Sequence, residues 1–338
     1  MYCGDFVIFN SYGGEIMEFH GGTWREDLLD FSISVNPYTP KWKDEIFKRC
    51  SKLSKRYTYV EWIEEKFKRV FGDHTVITAG ATEAFQILGF TLMEDANVII
   101  PMPSYGEYER VAEFKASKIT KIPPKGLDLD LEMAFDTAEK SQKNEKTVLI
   151  FANPTNPVGK YSKNLNEQIK SLTQKGVIAV IDETFLDFVE NAIDITNPQV
   201  IRVRSFTKSY GMPGIRVGYV ITQEFERLFR KHRAPWAIGA CGYAFLNLVI
   251  EDNGAFLEES IPKIRKEAVR FEKIQMKTDV NFGCIYVGDA KRVQKELDEL
   301  GVHVRNCESF GLKGYIRVAV RTPTENNMLF ENLEKVNL

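Results

Sequence analysis

The chain has 338 residues, 43% of them apolar and 27% charged, with a formal net charge of −2. That balance gives no electrostatic reason to expect nucleic acid, and no apolar run approaches the roughly 18 residues needed to cross a membrane. The first ten residues lack a basic region followed by an apolar core, so they do not read as a secretion signal. Five cysteines (Cys3, Cys50, Cys241, Cys284, Cys307) lie far apart with no Cys-x-x-Cys pair, so free thiols in a reducing cytoplasm are expected, not a disulfide framework. The four histidines also lack metal-ligand spacing, and no metal is expected.

Taken in chain order, Val76–Ala79 reads as a short strand, and Gly80-Ala81-Thr82-Glu83 opens a helix through about Met93. Asn97–Ile100 is a strand ended by Pro101 and Pro103. Thr147–Phe151 is another, ended by Asn153-Pro154. Val177–Ile181 is the most apolar and ends at Asp182-Glu183. Val200–Arg204 ends at Ser205, and Arg216–Ile221 follows. Short apolar runs separated by helical stretches predict an α/β fold with a mainly parallel sheet covered on both faces. Ligands in such sheets gather at the carboxyl ends of strands, where Asn153, Asp182 and Ser205 all fall.

The last third changes character. Asn253 to Lys277 is charged and amphipathic, with Pro262 expected to break or kink it. Cys284–Val287 and Gly314–Val320 read as strands and Lys291–Leu300 as a helix. Residues 46–240 are therefore expected to form a large domain, and 1–45 with 241–338 a smaller α+β domain.

The chemistry-bearing residues sit at these strand ends. The free N–H groups of Gly80-Ala81-Thr82 and the Thr82 hydroxyl suit a phosphate. Tyr105 follows another strand and can stack on a planar ring. Asn153-Pro154-Thr155-Asn156-Pro157-Val158-Gly159 fixes a tight turn that presents the Asn156 amide. A carboxylate after the buried run ending at Ile181 needs a cationic partner, so Asp182 suits a pyridinium. Lys208, flanked by the hydroxyls of Ser205, Thr207 and Ser209, suits an imine lysine, and Arg216 a phosphate clamp. Together these residues meet the needs of a pyridoxal 5′-phosphate (PLP) site: an imine lysine, an acid for the ring nitrogen, and a cradle for the phosphate.

The motifs Asn-Pro-Thr-Asn-Pro-x-Gly, Asp-Glu-x-Phe, Ser-x-Thr-Lys and Pro-Gly-x-Arg-x-Gly-Tyr resemble those of the fold-type-I PLP enzymes of the class I/II aminotransferase superfamily. The match runs from about His20 to Arg321. The resemblance implies a seven-stranded sheet, Lys208 as the imine lysine and Asp182 as the pyridine partner. It implies that Asn156 bonds the 3′ oxygen and that Ser205, Thr82 and Arg216 hold the phosphate. Tyr57 is similar to the tyrosine that these families reach across a homodimer interface to the partner's phosphate.

Two branches look similar: threonine-phosphate decarboxylase of cobalamin biosynthesis and histidinol-phosphate aminotransferase. His20-Gly21-Gly22, the segment through Asn36-Pro37, Phe185, Pro235-Trp236 and the arginine-bearing tail resemble the first. By that resemblance Arg317 binds a substrate carboxylate, and Arg305 meets the substrate's phosphate with help from His20. Gly21, Asn36 and Asn156 line the substrate, and Arg321, four residues after Arg317 on one strand face, adds charge to the same pocket. The expected reaction is decarboxylation of L-threonine O-3-phosphate; the alternative is transamination of histidinol phosphate or another amino acid with 2-oxoglutarate. A phosphorylated amino-acid substrate, a homodimer and a cytoplasmic location complete the expectation.

Overall fold

The computed structural model describes residues 21–336. In chain order, the elements are β1 (Leu29–Asp30), α1 (Lys43–Leu53), α2 (Glu61–Phe71), β2 (Thr75–Thr78), α3 (Gly80–Phe90), β3 (Asn97–Pro101), α4 (Glu107–Ala112), β4 (Lys118–Ile122), α5 (Leu131–Gln142), β5 (Thr147–Ala152), α6 (Asn166–Gln174) and β6 (Ile178–Asp182). They continue with β7 (Ile201–Ser205), α7 (Phe206–Ser209), β8 (Gly218–Ile221), α8 (Glu226–His232), α9 (Ala240–Asp252), α10 (Ala255–Arg270), β9 (Phe282–Tyr286), α11 (Ala290–Glu299), β10 (Val302–His303), β11 (Arg305–Asn306), β12 (Tyr315–Ala319) and α12 (Pro323–Lys335).

Seven strands form one sheet in the order β2-β8-β7-β6-β5-β3-β4. Only β8 runs against its neighbours; the rest are mutually parallel, as the unbroken apolar runs predict. One face is covered through Ala84, Phe85 and Leu88 of α3, Tyr108 and Val111 of α4, and Phe229 of α8. The other is covered by Ala134 and Ala138 of α5 and Ile169 and Leu172 of α6, and by a third cluster that includes Phe67 of α2 and Phe245 of α9. The edge strand β4 escaped the sequence reading. It carries exposed Lys118 and Lys121 and little apolar signal, which is how a sheet edge is kept from pairing with other chains.

A smaller antiparallel sheet, β11-β12-β9, packs its apolar residues with Ile264 of α10, Val293 and Leu297 of α11, and Leu329 of α12. β1 joins this region by pairing in parallel with β10. The expected division at residue 240 falls at the start of α9, yet α9 packs in the core under the large sheet with Ile46 of α1.

α10 continues as one helix through Pro262, so of the expected break or kink the break does not occur. That residue is exposed, so water can serve the carbonyl that proline leaves without an N–H partner. Cys50 of α1 and Cys241 of α9 form a disulfide, not two free thiols. They are 191 residues apart, and sequence spacing carries no sign of a contact made by helix packing. Cys284 and Cys307 are free, and Cys3 lies outside the described residues.

Candidate active site

The carboxyl ends of β5, β6 and β7 open onto a cavity of about 210 Å³ between the two sheets. Its wall brings together Gly21, Ala81, Thr82, Tyr105, Asn156, Asp182, Ser205, Thr207, Lys208, Arg216 and Arg317, all singled out from the sequence.

Asp182 ends β6 and is 8% exposed. Its carboxylate accepts hydrogen bonds from the Tyr108 hydroxyl (2.6 Å) and the Thr184 N–H (2.9 Å). Burial outweighs these bonds and pushes its pKa up. Such a group gains most from a cation placed beside it. Glu183 next to it is already matched: Arg202 and Arg204 each donate to it at 2.8 Å.

Lys208 lies in the single helical turn of α7, which Ser205 caps by accepting from the Thr207 N–H. The Ser205 hydroxyl also donates to the Thr207 hydroxyl at 2.7 Å. Burial, then the positive charges of Arg317 and Arg216, lower the Lys208 pKa to about 8. A sizeable fraction of the amine is therefore neutral and nucleophilic near neutral pH.

The phosphate cradle is built where β2 turns into α3. Ala81 and Thr82 occupy the first turn of α3, whose N–H groups have no partner within the helix. Arg216 reaches the Thr82 hydroxyl at 3.4 Å from a left-handed backbone conformation (φ 55°), uncommon for a residue with a side chain. Gly80 permits this approach: at its φ of +74° an added Cβ would lie 2.9 Å from the Arg216 guanidinium.

Arg317, on β12, is 6% exposed. It donates to the Asn156 side-chain oxygen (2.6 Å) and to the Ser32 carbonyl (2.7 Å). Gly21 passes so close that an added Cβ would meet the Ser32 carbonyl oxygen at 2.4 Å. Phe185 also lines the cavity, packed edge-on to Phe282 at 4.6 Å, and offers no hydroxyl. Two buried hydroxyls on the wall, those of Ser34 and Thr184, have no hydrogen-bond partner among the described residues.

Other expected site residues fall elsewhere. Arg305 is the cross-strand neighbour of Arg317, 2% exposed, and donates to the Ser309 hydroxyl at 2.8 Å. It stands behind the cavity wall. Asn36 does not line the cavity: its amide donates to the Ser209 carbonyl and the Ser260 hydroxyl, and its oxygen accepts from the Tyr38 N–H. Arg321 does not line the cavity either. β12 ends at Ala319, so the alternation of faces does not reach residue 321. Its guanidinium instead holds the Asp30 carbonyl (3.1 Å) and Glu325 (2.6 Å). Tyr57 is 66% exposed and stacks on Trp236 with ring centroids 4.4 Å apart, away from the cavity. His20 lies outside the described residues.

Two contributors escaped the sequence reading. Tyr108 follows Tyr105 by one helical turn, and that spacing was the available sign. Phe310 lies beside the Arg305 and Arg317 guanidiniums, with no sequence signal to mark it. Among the described residues, no group of three or more His, Cys, Asp or Glu side chains is placed to hold a metal, and no helix is long and apolar enough to cross a membrane.

An amine shifted toward neutrality, a buried acid with no ion pair among the described residues, and a helix N-terminus with an arginine fit PLP. With the mixed seven-stranded sheet they define a PLP-dependent enzyme of fold type I. The chain belongs to the class I and II aminotransferase family, whose profile matches residues 52–333. It is 29% identical over 286 residues to a histidinol-phosphate aminotransferase of Leuconostoc citreum, covering 77% of each chain. It is 26% identical to the adenosylcobalamin biosynthesis bifunctional protein CobDQ of Leptospira interrogans, covering 96% of this chain and 41% of that one. The structure is similar to that of the histidinol-phosphate aminotransferase from Clostridium acetobutylicum (TM-score 0.82, 23% identity), covering 91% of this chain and 99% of that one.

Proposed function

We propose that the chain decarboxylates a phosphorylated amino acid, L-threonine O-3-phosphate. The observation that carries this reading is the cross-strand pair Arg305 and Arg317, two buried guanidiniums in register on one ladder. Arg317 faces the cavity and suits the substrate carboxylate, while Arg305 adds a second positive charge behind it for a substrate with two anionic groups.

Bound PLP supplies an aldehyde for the substrate amine and a ring that accepts the electron pair released at Cα. Lys208 would hold the cofactor through its amine and would carry the proton delivered to Cα; a pKa near 8 keeps both forms of the amine populated. Asp182 would hold the proton on the ring nitrogen. Thr82, Ser205, Thr207 and Arg216 would hold the cofactor phosphate, Tyr105 would cover the ring, and Asn156 would orient the 3′ oxygen. Arg317 orients the carboxylate, and orientation decides which bond at Cα breaks.

A second reading, transamination of histidinol phosphate or another amino acid, is favoured by the name of the Leuconostoc citreum relative. The two separate in one assay. Purified enzyme is given L-threonine O-3-phosphate without a keto acid. Stoichiometric CO2 supports the decarboxylase; turnover of histidinol phosphate only in the presence of 2-oxoglutarate overturns it.

The reading includes a homodimer, supported by the exposed aromatic surface of Tyr57, Tyr59, Trp62 and Trp236, from which Tyr57 reaches the partner's phosphate cradle. It also includes a cytoplasmic location; the free thiols of Cys284 and Cys307 agree with it, and the Cys50–Cys241 bridge counts against it. The smaller domain is taken to comprise the β11-β12-β9 sheet with α10, α11 and α12.

A further inference from the structure

The Asp182 carboxylate has acceptor capacity to spare, and an unused donor stands next to it. A carboxylate offers about four lone-pair positions, two on each oxygen. Oδ1 accepts from the Thr184 N–H at 2.9 Å and Oδ2 from the Tyr108 hydroxyl at 2.6 Å. That leaves room for a protonated ring nitrogen and one further donor. The Thr184 hydroxyl is sealed from solvent, lies on the wall of the same cavity and makes no hydrogen bond among the described residues. A hydroxyl cut off from water and left unbonded is costly, so a bond to a neighbouring acceptor is favoured.

The chain holds Thr184 so that only its side chain is left to turn. The Glu183 N–H donates to the Val203 carbonyl at 2.8 Å, and the Leu186 N–H donates to the Glu183 carbonyl at 2.9 Å. The bond from the Thr184 N–H to Asp182 closes a turn that sets the threonine side chain beside that carboxylate. Rotation about Cα–Cβ then exchanges the hydroxyl and methyl positions. Another threonine in the chain shows where the hydroxyl can go. Thr322 donates to one Glu325 oxygen through both its N–H (3.0 Å) and its hydroxyl (2.6 Å). Burial raises the Asp182 pKa, and the Thr184 hydroxyl, short of a full hydrogen bond, already acts with Tyr108 against that rise.

We propose that Thr184 is a positioning residue whose hydroxyl turns onto the Asp182 carboxylate and, with Tyr108, keeps that carboxylate ionised against the cofactor's ring nitrogen. Each donor makes the carboxylate a weaker base, so the proton between Asp182 and the ring stays on the nitrogen. The inference rests on the assignment of Asp182 to the ring nitrogen and holds for either substrate.

The test reads the nitrogen itself. Cofactor-free, full-length protein is reloaded with PLP isotopically labelled at the ring nitrogen, and the chemical shift of that atom is followed against pH by NMR. Parent and Thr184→Ser should show a protonated ring over the same pH range. Thr184→Val keeps the shape without the hydroxyl. Its ring should lose the proton at a pH lower by about one unit, and its kcat should fall roughly tenfold with KM within about twofold of the parent. Thr184→Ala against Thr184→Ser, which differ by one oxygen, gives the same comparison should Thr184→Val fail to fold. A parent-like titration in the variants lacking the hydroxyl overturns the proposal, because the group then only fills space or holds a water. So does a Thr184→Ser protein that titrates like Thr184→Val. Asp182→Asn separates this from a failure of the underlying assignment: its ring should lose the proton outright. A ring still protonated in Asp182→Asn shows that Asp182 is not the nitrogen's partner, and the role of Thr184 falls with it.

Discussion

The Tyr108 hydroxyl donates a 2.6 Å hydrogen bond to the Asp182 carboxylate inside the core, where both residues are buried. The bond favours the ionised acid against the burial that opposes it. Removing the hydroxyl with Tyr108→Phe should raise the Asp182 pKa further and leave the ring nitrogen less firmly protonated. A hydrogen bond to a charged group contributes about 1.5–3 kcal/mol, so kcat is expected to fall roughly tenfold or more. The pH dependence of the cofactor's visible absorbance should shift with it. An unchanged absorbance titration would show that the tyrosine only fills space.

Lys208 has a pKa lowered from 10.5 to about 8, so the cofactor-free protein carries a desolvated ammonium at neutral pH. Below pH 8 the amine is protonated in both folded and unfolded chains, and the cost of burying it is fully present. Above 8 the folded protein releases the proton first, and the cost is gone once pH passes 10.5. Cofactor-free Lys208→Met should therefore be more stable than the parent near neutral pH, by on the order of 1–2 kcal/mol, with the difference fading as pH rises toward about 10. Urea unfolding of both proteins at the two pH values reads this directly.

Arg317 and Arg321 should separate cleanly. Arg317→Gln removes the cavity's guanidinium and is expected to raise KM roughly 100-fold, the usual scale for losing a buried charge partner. Arg321→Met should leave KM within about twofold of the parent, while lowering unfolding free energy by about 1–2 kcal/mol through lost bonds to Asp30 and Glu325. A large KM effect at residue 321 would restore it to the substrate site.

That contrast shows what the sequence could and could not disclose. Asp182 and Ser205 were legible because each follows an apolar run, and parallel sheets bring such ends together; Asn156 was legible because two Asn-Pro pairs mark a tight turn after such a run. Arg321 lies off the cavity because the alternation of faces stops at the end of β12, a boundary set by the partner strands. Asn36 enters the expected site only by resemblance, and its partners Ser209 and Ser260 are far along the chain, where sequence spacing does not show them. Tyr108 carries no sequence signal for its bond to Asp182, because the two residues are 74 positions apart and meet only once α4 is folded onto the sheet. The Cys50–Cys241 bridge likewise depends on which faces α1 and α9 present to each other.

Cys50→Ser should lower stability by about 2–4 kcal/mol, since the bridge closes a long loop in the unfolded chain. Dithiothreitol should bring the parent to the same level in urea unfolding and leave Cys50→Ser unchanged. If the variant unfolds like the parent, the two cysteines are not joined in solution.

The position of Tyr57 is testable by mixing two inactive proteins. Tyr57→Ala retains Lys208, and Lys208→Ala retains Tyr57. If the tyrosine serves the partner subunit, hybrid dimers contain one intact site, and activity should reappear after mixing and subunit exchange. Without recovery, and with dimers confirmed by sedimentation, Tyr57 belongs to its own subunit's surface.

The bond between Arg317 and Asn156 carries a last consequence. Of the five N–H donors of the guanidinium, one is held by the Asn156 oxygen and one by the Ser32 carbonyl, while Nε has no partner among the described residues. The two bonds fix the plane of the guanidinium before any ligand arrives, so an anion entering the cavity meets a donor whose direction is already set, and little side-chain freedom is left to lose on binding.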